Sequence, residues 1–94
     1  MSSDLNELTV NYEEDGVILV KELDKNFLSK GAWVTILFRY QNWDKAKGEY
    51  GKEQFAIRRY QKRNGEYQAK SKFNISSSEQ ARKIISTLQQ WVGE

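Results

Sequence analysis

Histidine, cysteine and proline are all absent from this chain of 94 residues, and methionine occurs once. Without cysteine there is no disulfide, no thiolate metal ligand and no thiol nucleophile. Without histidine no imidazole can act as a base or metal ligand near neutral pH, and a Ser-His-Asp triad is excluded. The lack of proline excludes a polyproline-type linker or ligand. No apolar run approaches the roughly 20 residues that a bilayer-spanning helix needs. The opening MSSDLNELTV has neither a basic n-region nor an apolar h-region, so no secretory signal is expected. The expected location is the cytoplasm, or the nucleoid or nucleus if the chain is eukaryotic. Gly48 and Gly51 are not followed by Gly-Lys-Ser/Thr, so they do not form a phosphate loop. Glu13-Glu14-Asp15 reads as a solvated turn, since magnesium sites usually take part of their ligand set from substrate phosphates. The expectation is a non-enzyme without cofactor or metal.

Apolar residues make up 38% of the chain and charged residues 30%, which suits one globular domain with a small core. The net charge of +2 is unevenly spread. Residues 1–29 carry a net −5, residues 30–75 a net +7, and residues 76–94 balance to zero. The reading is an acidic N-terminal arm over 1–15, disordered or forming an extra strand, followed by a single domain over 16–94. A basic middle interleaved with aromatics is the electrostatic footprint of a nucleic-acid binder. A merely solvated basic face is the plain alternative.

Leu8 to Tyr12 alternates, Asp15-Gly16 marks a turn, and Val17 to Val20 is apolar, which predicts an N-terminal hairpin. Residues 26–31 read as a connector. Ala32 to Gln41 is the clearest strand, with Val34, Ile36, Phe38 and Tyr40 on one side. Residues 42–52 read as a long loop. Strands are then predicted over 53–62 and 67–75, joined by Asn64-Gly65, the strongest short hairpin signal. Ser76 with Glu79, or Ser77 with Gln80, forms a capping box. Ala81, Ile84, Ile85, Leu88, Trp91 and Val92 then make one helical stripe, and Gly93 is the C-cap. The fold class is therefore α+β: a four-stranded antiparallel sheet, with a further N-terminal strand possible, and one C-terminal amphipathic helix.

Strict alternation buries Val34, Ile36, Phe38, Phe55, Ile57, Phe73 and Ile75 beneath that helix. The other side then shows Trp33, Arg39, Arg58, Tyr60, Lys62, Gln68, Lys70 and Lys72, with five cations and no acid. Cations neutralise phosphates and release counterions, and exposed rings stack on unpaired bases for ~1–3 kcal/mol each. A sheet face does not enter a duplex groove easily but can carry a single strand. Trp43, Lys45 and Lys47 in the loop are candidate further contacts, or a loop anchor and two solvated lysines. Ile84, Ile85, Leu88 and Trp91 are expected in the core or a dimer interface.

Ile57-Arg58-Arg59-Tyr60, then Gly65-Glu66, then Lys70-Ser71-Lys72-Phe73-Asn74-Ile75-Ser76 and Glu79-Gln80 resemble the positive-cofactor-four family of transcriptional coactivators over about residues 55–92. The resemblance implies a curved four-stranded antiparallel sheet with a C-terminal helix, and a homodimer built largely through the helices. It also implies binding of single-stranded DNA or melted duplex, without strong sequence preference and with DNA favoured over RNA, by basic and aromatic sheet residues. By position these are Arg58, Tyr60, Lys70 and Lys72, with Trp33 and Arg39. The chain departs from the family at Gln61, where a tryptophan is frequent, and at Phe73-Asn74, where a glycine precedes the last Ile-Ser. The alternatives are an interaction module for an acidic protein partner, whose face the acidic arm could cover in cis, and an RNA-binding protein.

Overall fold

Two dipeptides set the hairpins. Asp15-Gly16 and Asn64-Gly65 each place successive residues at positive φ, 52° and 81° in the first pair and 52° and 80° in the second. Two-residue turns of this kind match the right-handed twist of paired strands, so each closes a tight antiparallel hairpin. A computed structural model describes residues 4–93. A single 3₁₀ turn (Leu5–Glu7) precedes strands β1 (Tyr12–Glu14), β2 (Val17–Ser29), β3 (Trp33–Asp44), β4 (Glu49–Tyr50), β5 (Gln54–Arg63) and β6 (Glu66–Ile75), and helix α1 (Ser78–Val92) ends the chain. The strands form one curled antiparallel sheet in the order β1-β2-β3-β5-β6, with β4 paired to the far end of β3. The four long strands are β2, β3, β5 and β6, and β1 is the extra N-terminal strand.

Two expected loops are instead strand. Residues 26–29, read as connector, continue β2 and pair with β3 from Asn26↔Leu37 to Ser29↔Thr35. Register shifts between Glu22 and Asp24 and between Phe27 and Ser29 break the alternation that would have announced a strand. The 42–52 loop shrinks to a short tip, because Trp43 and Asp44 pair with Tyr50 and Glu49. The Trp43 and Tyr50 rings meet edge-on at 5.0 Å, and the Tyr50 hydroxyl donates to the Ile18 carbonyl at 2.8 Å, tying this extension to β2.

Val34, Ile36 and Phe38 are fully buried, as the alternation of β3 predicts. Their cover is not the helix. Leu8 and Val10 of the arm are buried in the same cluster, with Leu5 packed against it. Polar contacts hold the arm to β2. Lys25 Nζ donates to the carbonyls of Asn6 at 3.0 Å and Leu8 at 2.7 Å, and the Thr9 hydroxyl donates to Glu22. The acidic arm is thus part of the domain from Leu5 onward. The first three residues of the 1–15 segment lie outside the described ones.

Helix α1 starts where the second capping choice places it. Ser77 Oγ accepts the Gln80 amide at 3.1 Å, and Gln80 Oε1 accepts the Ser76 amide at 2.9 Å. Gly93 ends it in the left-handed region. None of its residues is buried, and Trp91 is 77% exposed. The expectation that α1 roofs the sheet core is therefore corrected. The arm already occupies that side, and α1 stands beside β6, the edge strand it follows. Among the described residues no helix is long and apolar enough to cross a membrane.

Candidate nucleic-acid interface

Paired residues of antiparallel strands project to the same side, so the register decides which side chains meet. Val34 pairs with Tyr60, Ile36 with Arg58 and Phe38 with Ala56. Arg58 and Tyr60 thus share the core side, here called the inner face, with the cover provided by the arm. Trp33 and Arg39 lie on the outer face, where Leu37 pairs with Ile57 and Arg39 with Phe55. In β6 the register shifts between the Arg59↔Ser71 and Tyr60↔Ala69 pairs, leaving Lys70 as an extra residue. This bulge returns Tyr67 to the inner face opposite Lys62 and keeps Lys72 there opposite Arg58, while Phe73 and Ile75 fall on the outer face.

The seven residues expected on one surface are therefore divided. Arg58, Tyr60, Lys62 and Lys72 are inner, Trp33 and Arg39 are outer, and Lys70 sits at the bulge. The expected buried set divides too. Phe55 and Ile57 are half-buried on the outer face and Phe73 is 51% exposed, while Ile75 on that face is buried as expected. The physical reason lies in β5, where Phe55 and Ile57 on one side and Ala56 and Tyr60 on the other are both apolar enough to be inside. A one-residue change of phase exchanges the faces of a strand.

Tyr60 is 8% exposed and lies in the core cluster. Burial raises its hydroxyl pKa above the ordinary 10.0, opposed by the nearby Arg58 charge and reinforced by Glu22. It cannot serve as a stacking platform for bases. Trp33 is 40% exposed, with the Arg59 guanidinium 4.6 Å above its ring. Arg39 lies 3.3 Å from Glu53 and 3.9 Å from Asp24, so its charge is already met. Trp43, held against Tyr50, is the loop anchor. Lys45 and Lys47 are exposed at the tip, where the Asp44 carboxylate accepts the Ala46 and Lys47 amides. Ile84, Ile85, Leu88 and Trp91 are on the helix stripe but outside the core.

What the fold does bring together is the basic β5–β6 hairpin. Arg58, Arg59, Lys62, Arg63, Lys70 and Lys72 face a single acid, Glu66, within residues 54–75. Both ion pairs among the described residues belong to Arg39, and neither involves this hairpin's cations. Arg58, Ala69, Lys70, Ser71 and Lys72 line a shallow depression of about 240 Å³. The Nε of Arg58 is itself buried and has no hydrogen-bond partner. Lys62 Nζ lies 5.6 Å from the Tyr67 ring centre.

Sequence reasoning missed Arg59 and Arg63 as exposed cations. The signal was available for Arg59: two successive arginines in a strand put one on each face. Among the described residues no group of three acids is placed to hold a metal ion. No family model, no curated protein and no solved structure matches the chain.

Proposed function

We propose that this chain is a non-catalytic binder of single-stranded nucleic acid that grips phosphates with the β5–β6 hairpin. The observation that carries the reading is the depression lined by Arg58, Lys70 and Lys72, with no acid among its lining residues. Three cations at neighbouring sheet positions suit a chain of phosphates, and their contacts displace counterions without reading sequence. With Tyr60 buried, the affinity rests on phosphate contacts rather than base stacking. The preference for DNA over RNA rests on the family resemblance, which also suggests an accessory role in transcription, replication or repair.

The test is fluorescence anisotropy of labelled ~20-nucleotide oligo-dT, oligo-U and a matched duplex at several salt concentrations. The expected result is tighter binding to the single strands, with a log–log salt slope of about −2 for three phosphate contacts. Arg58→Ala and Lys72→Ala should each weaken all sequences alike and reduce the slope by about one contact's worth. No binding at low salt, or unchanged affinity in both variants, removes the site. An acidic peptide of matched charge that binds as tightly as oligo-dT would instead favour the protein-interaction reading.

A further inference from the structure

A row of polar and aromatic side chains crosses the outer sheet face at the hairpin end. Trp33 of β3 pairs with Gln61 of β5, and Gln61 pairs with Gln68 of β6. Paired residues project to the same side, so one indole and two amides stand abreast on three neighbouring strands. Strands lie about 4.8 Å apart, which makes the row roughly 10 Å long. Trp33 is exposed and both glutamines are half-buried. The bulge at Lys70 is what puts Gln68 there. Unbroken alternation from Ile75 would turn Gln68 to the inner face with Lys72, and the extra residue returns it to the outer one. Among the described residues no strand pairs with β6 beyond Gln68, so the row is open at the sheet edge.

The other two sheet glutamines show what an amide with a structural task does. Gln41 Nε2 donates to the Gly51 carbonyl at 2.9 Å, and Gln54 Oε1 accepts the Tyr40 hydroxyl at 3.5 Å. Among the described residues the Gln61 and Gln68 amides make no such bond. The neighbouring rows define the charge around them. On one side the Arg59 guanidinium lies 4.6 Å from the Trp33 ring centre, and its Nε donates to the Thr35 hydroxyl at 3.4 Å. A planar cation is thus pinned on the indole. On the other side Arg63 and Glu66 pair across the turn and bring opposite charges. The row itself is neutral. It offers hydrogen-bonding groups beside a π surface, which is the chemistry of a base rather than of a phosphate.

Unpaired bases stack on aromatic rings and guanidinium planes and hydrogen-bond through their free edges. A glutamine amide presents a donor and an acceptor side by side, matching the N6–H and N7 of adenine. Guanine presents two acceptors at that edge and suits arginine instead. We infer that the Trp33–Gln61–Gln68 row is a base-reading site that gives the bound strand a preference for adenine. The inference rests on the proposed nucleic-acid binding: phosphates held by Lys70 and Lys72 lie on the same edge strand, and a base turned over that edge meets Gln68 first. Affinity still comes from the phosphate contacts. The row adds discrimination, where the family resemblance implies little.

The test is fluorescence anisotropy with ~20-nucleotide oligo-dT strands in which three central thymines are replaced by adenine, cytosine or guanine. The adenine strand should bind about fivefold or more tighter than the thymine and cytosine strands, the discrimination of one bidentate amide contact. Gln61→Ala with Gln68→Ala should bring that ratio close to one and leave oligo-dT affinity unchanged, with circular dichroism confirming that the sheet persists. Gln68→Glu, which keeps the size of the side chain, should move the preference from adenine toward cytosine, whose N4 amino group donates to a carboxylate. Arg58→Ala should weaken every strand and keep the adenine ratio. Equal binding of all four strands overturns the inference and leaves the phosphate reading standing. A guanine preference, or an adenine preference that survives in the double amide variant, also overturns it. Binding of none of the strands at low salt overturns both readings.

Discussion

Individual residues in this protein are governed by which side of the sheet they reach. Tyr60 shows the consequence. Its ring is in the core and burial holds its hydroxyl protonated above the ordinary 10.0. A folded-state pKa above the unfolded one stabilises the fold fully below about pH 10, and the contribution is lost as pH rises through the folded value, because the unfolded chain releases its proton first. Tyr60→Phe should therefore lose less stability than the parent chain between about pH 9 and 11, measured as the shift in urea midpoint. Equal shifts in the two proteins would mean that the hydroxyl is not buried as described. Leu8 is the corresponding residue in the arm. Leu8→Ala should cost about 2–4 kcal/mol, because it removes a buried side chain from over the sheet. A cost below about 0.5 kcal/mol, the range of ordinary surface changes, would show that the arm is not part of the core.

Among the elements, the β5–β6 hairpin joins a turn legible in the sequence to a register that is not. Gly65 has φ of 80°, and a Cβ there would meet no atom within 4 Å. Gly65→Ala should then cost roughly 1 kcal/mol through backbone strain alone, while Gly65→Asn should cost less, since asparagine tolerates the left-handed region. Urea unfolding of both variants checks this ordering. The bulge at Lys70 has no such marker. It shifts Tyr67 to the opposite side from Phe73 and Ile75, although all three have the same parity in the sequence. Helix α1 was legible from its cap to its C-cap because both ends are local hydrogen-bonding events: the Ser77 side chain accepts the Gln80 amide, and Gly93 donates to the Gln89 carbonyl at 3.0 Å. Where the helix packs is not a local event, and it does not pack on the core.

For the whole molecule, the arm changes the meaning of a truncation. A chain beginning near Gly16 would uncover the inner face, but it would also lose Leu5, Leu8 and Val10 from the core. Such a variant should melt at a clearly lower temperature than the full chain, as thermal unfolding followed by circular dichroism would show. A change in its nucleic-acid affinity would then report loss of structure rather than release of a cover. A truncated chain as stable as the full one would contradict the packing of the arm.

The sequence alone determined the local features. Alternation in β3 marked Val34, Ile36 and Phe38 as core, Asp15-Gly16 and Asn64-Gly65 marked two hairpins, and the serines before Glu79-Gln80 marked the start of a helix. Each depends on neighbours within a few residues, so each can be read from a short stretch of chain. The same holds for the basic character of residues 54–75, which is composition. Only the tertiary structure decided which face of β5 points inward, what covers the core, and which cations converge. Those outcomes depend on a strand register altered by a bulge, and on an arm that reaches its place through contacts 11 to 19 residues away in sequence. Both faces of β5 carry enough apolar surface to be buried, so its own alternation could not choose between them. The choice was made by the partner strand and by Leu8 and Val10.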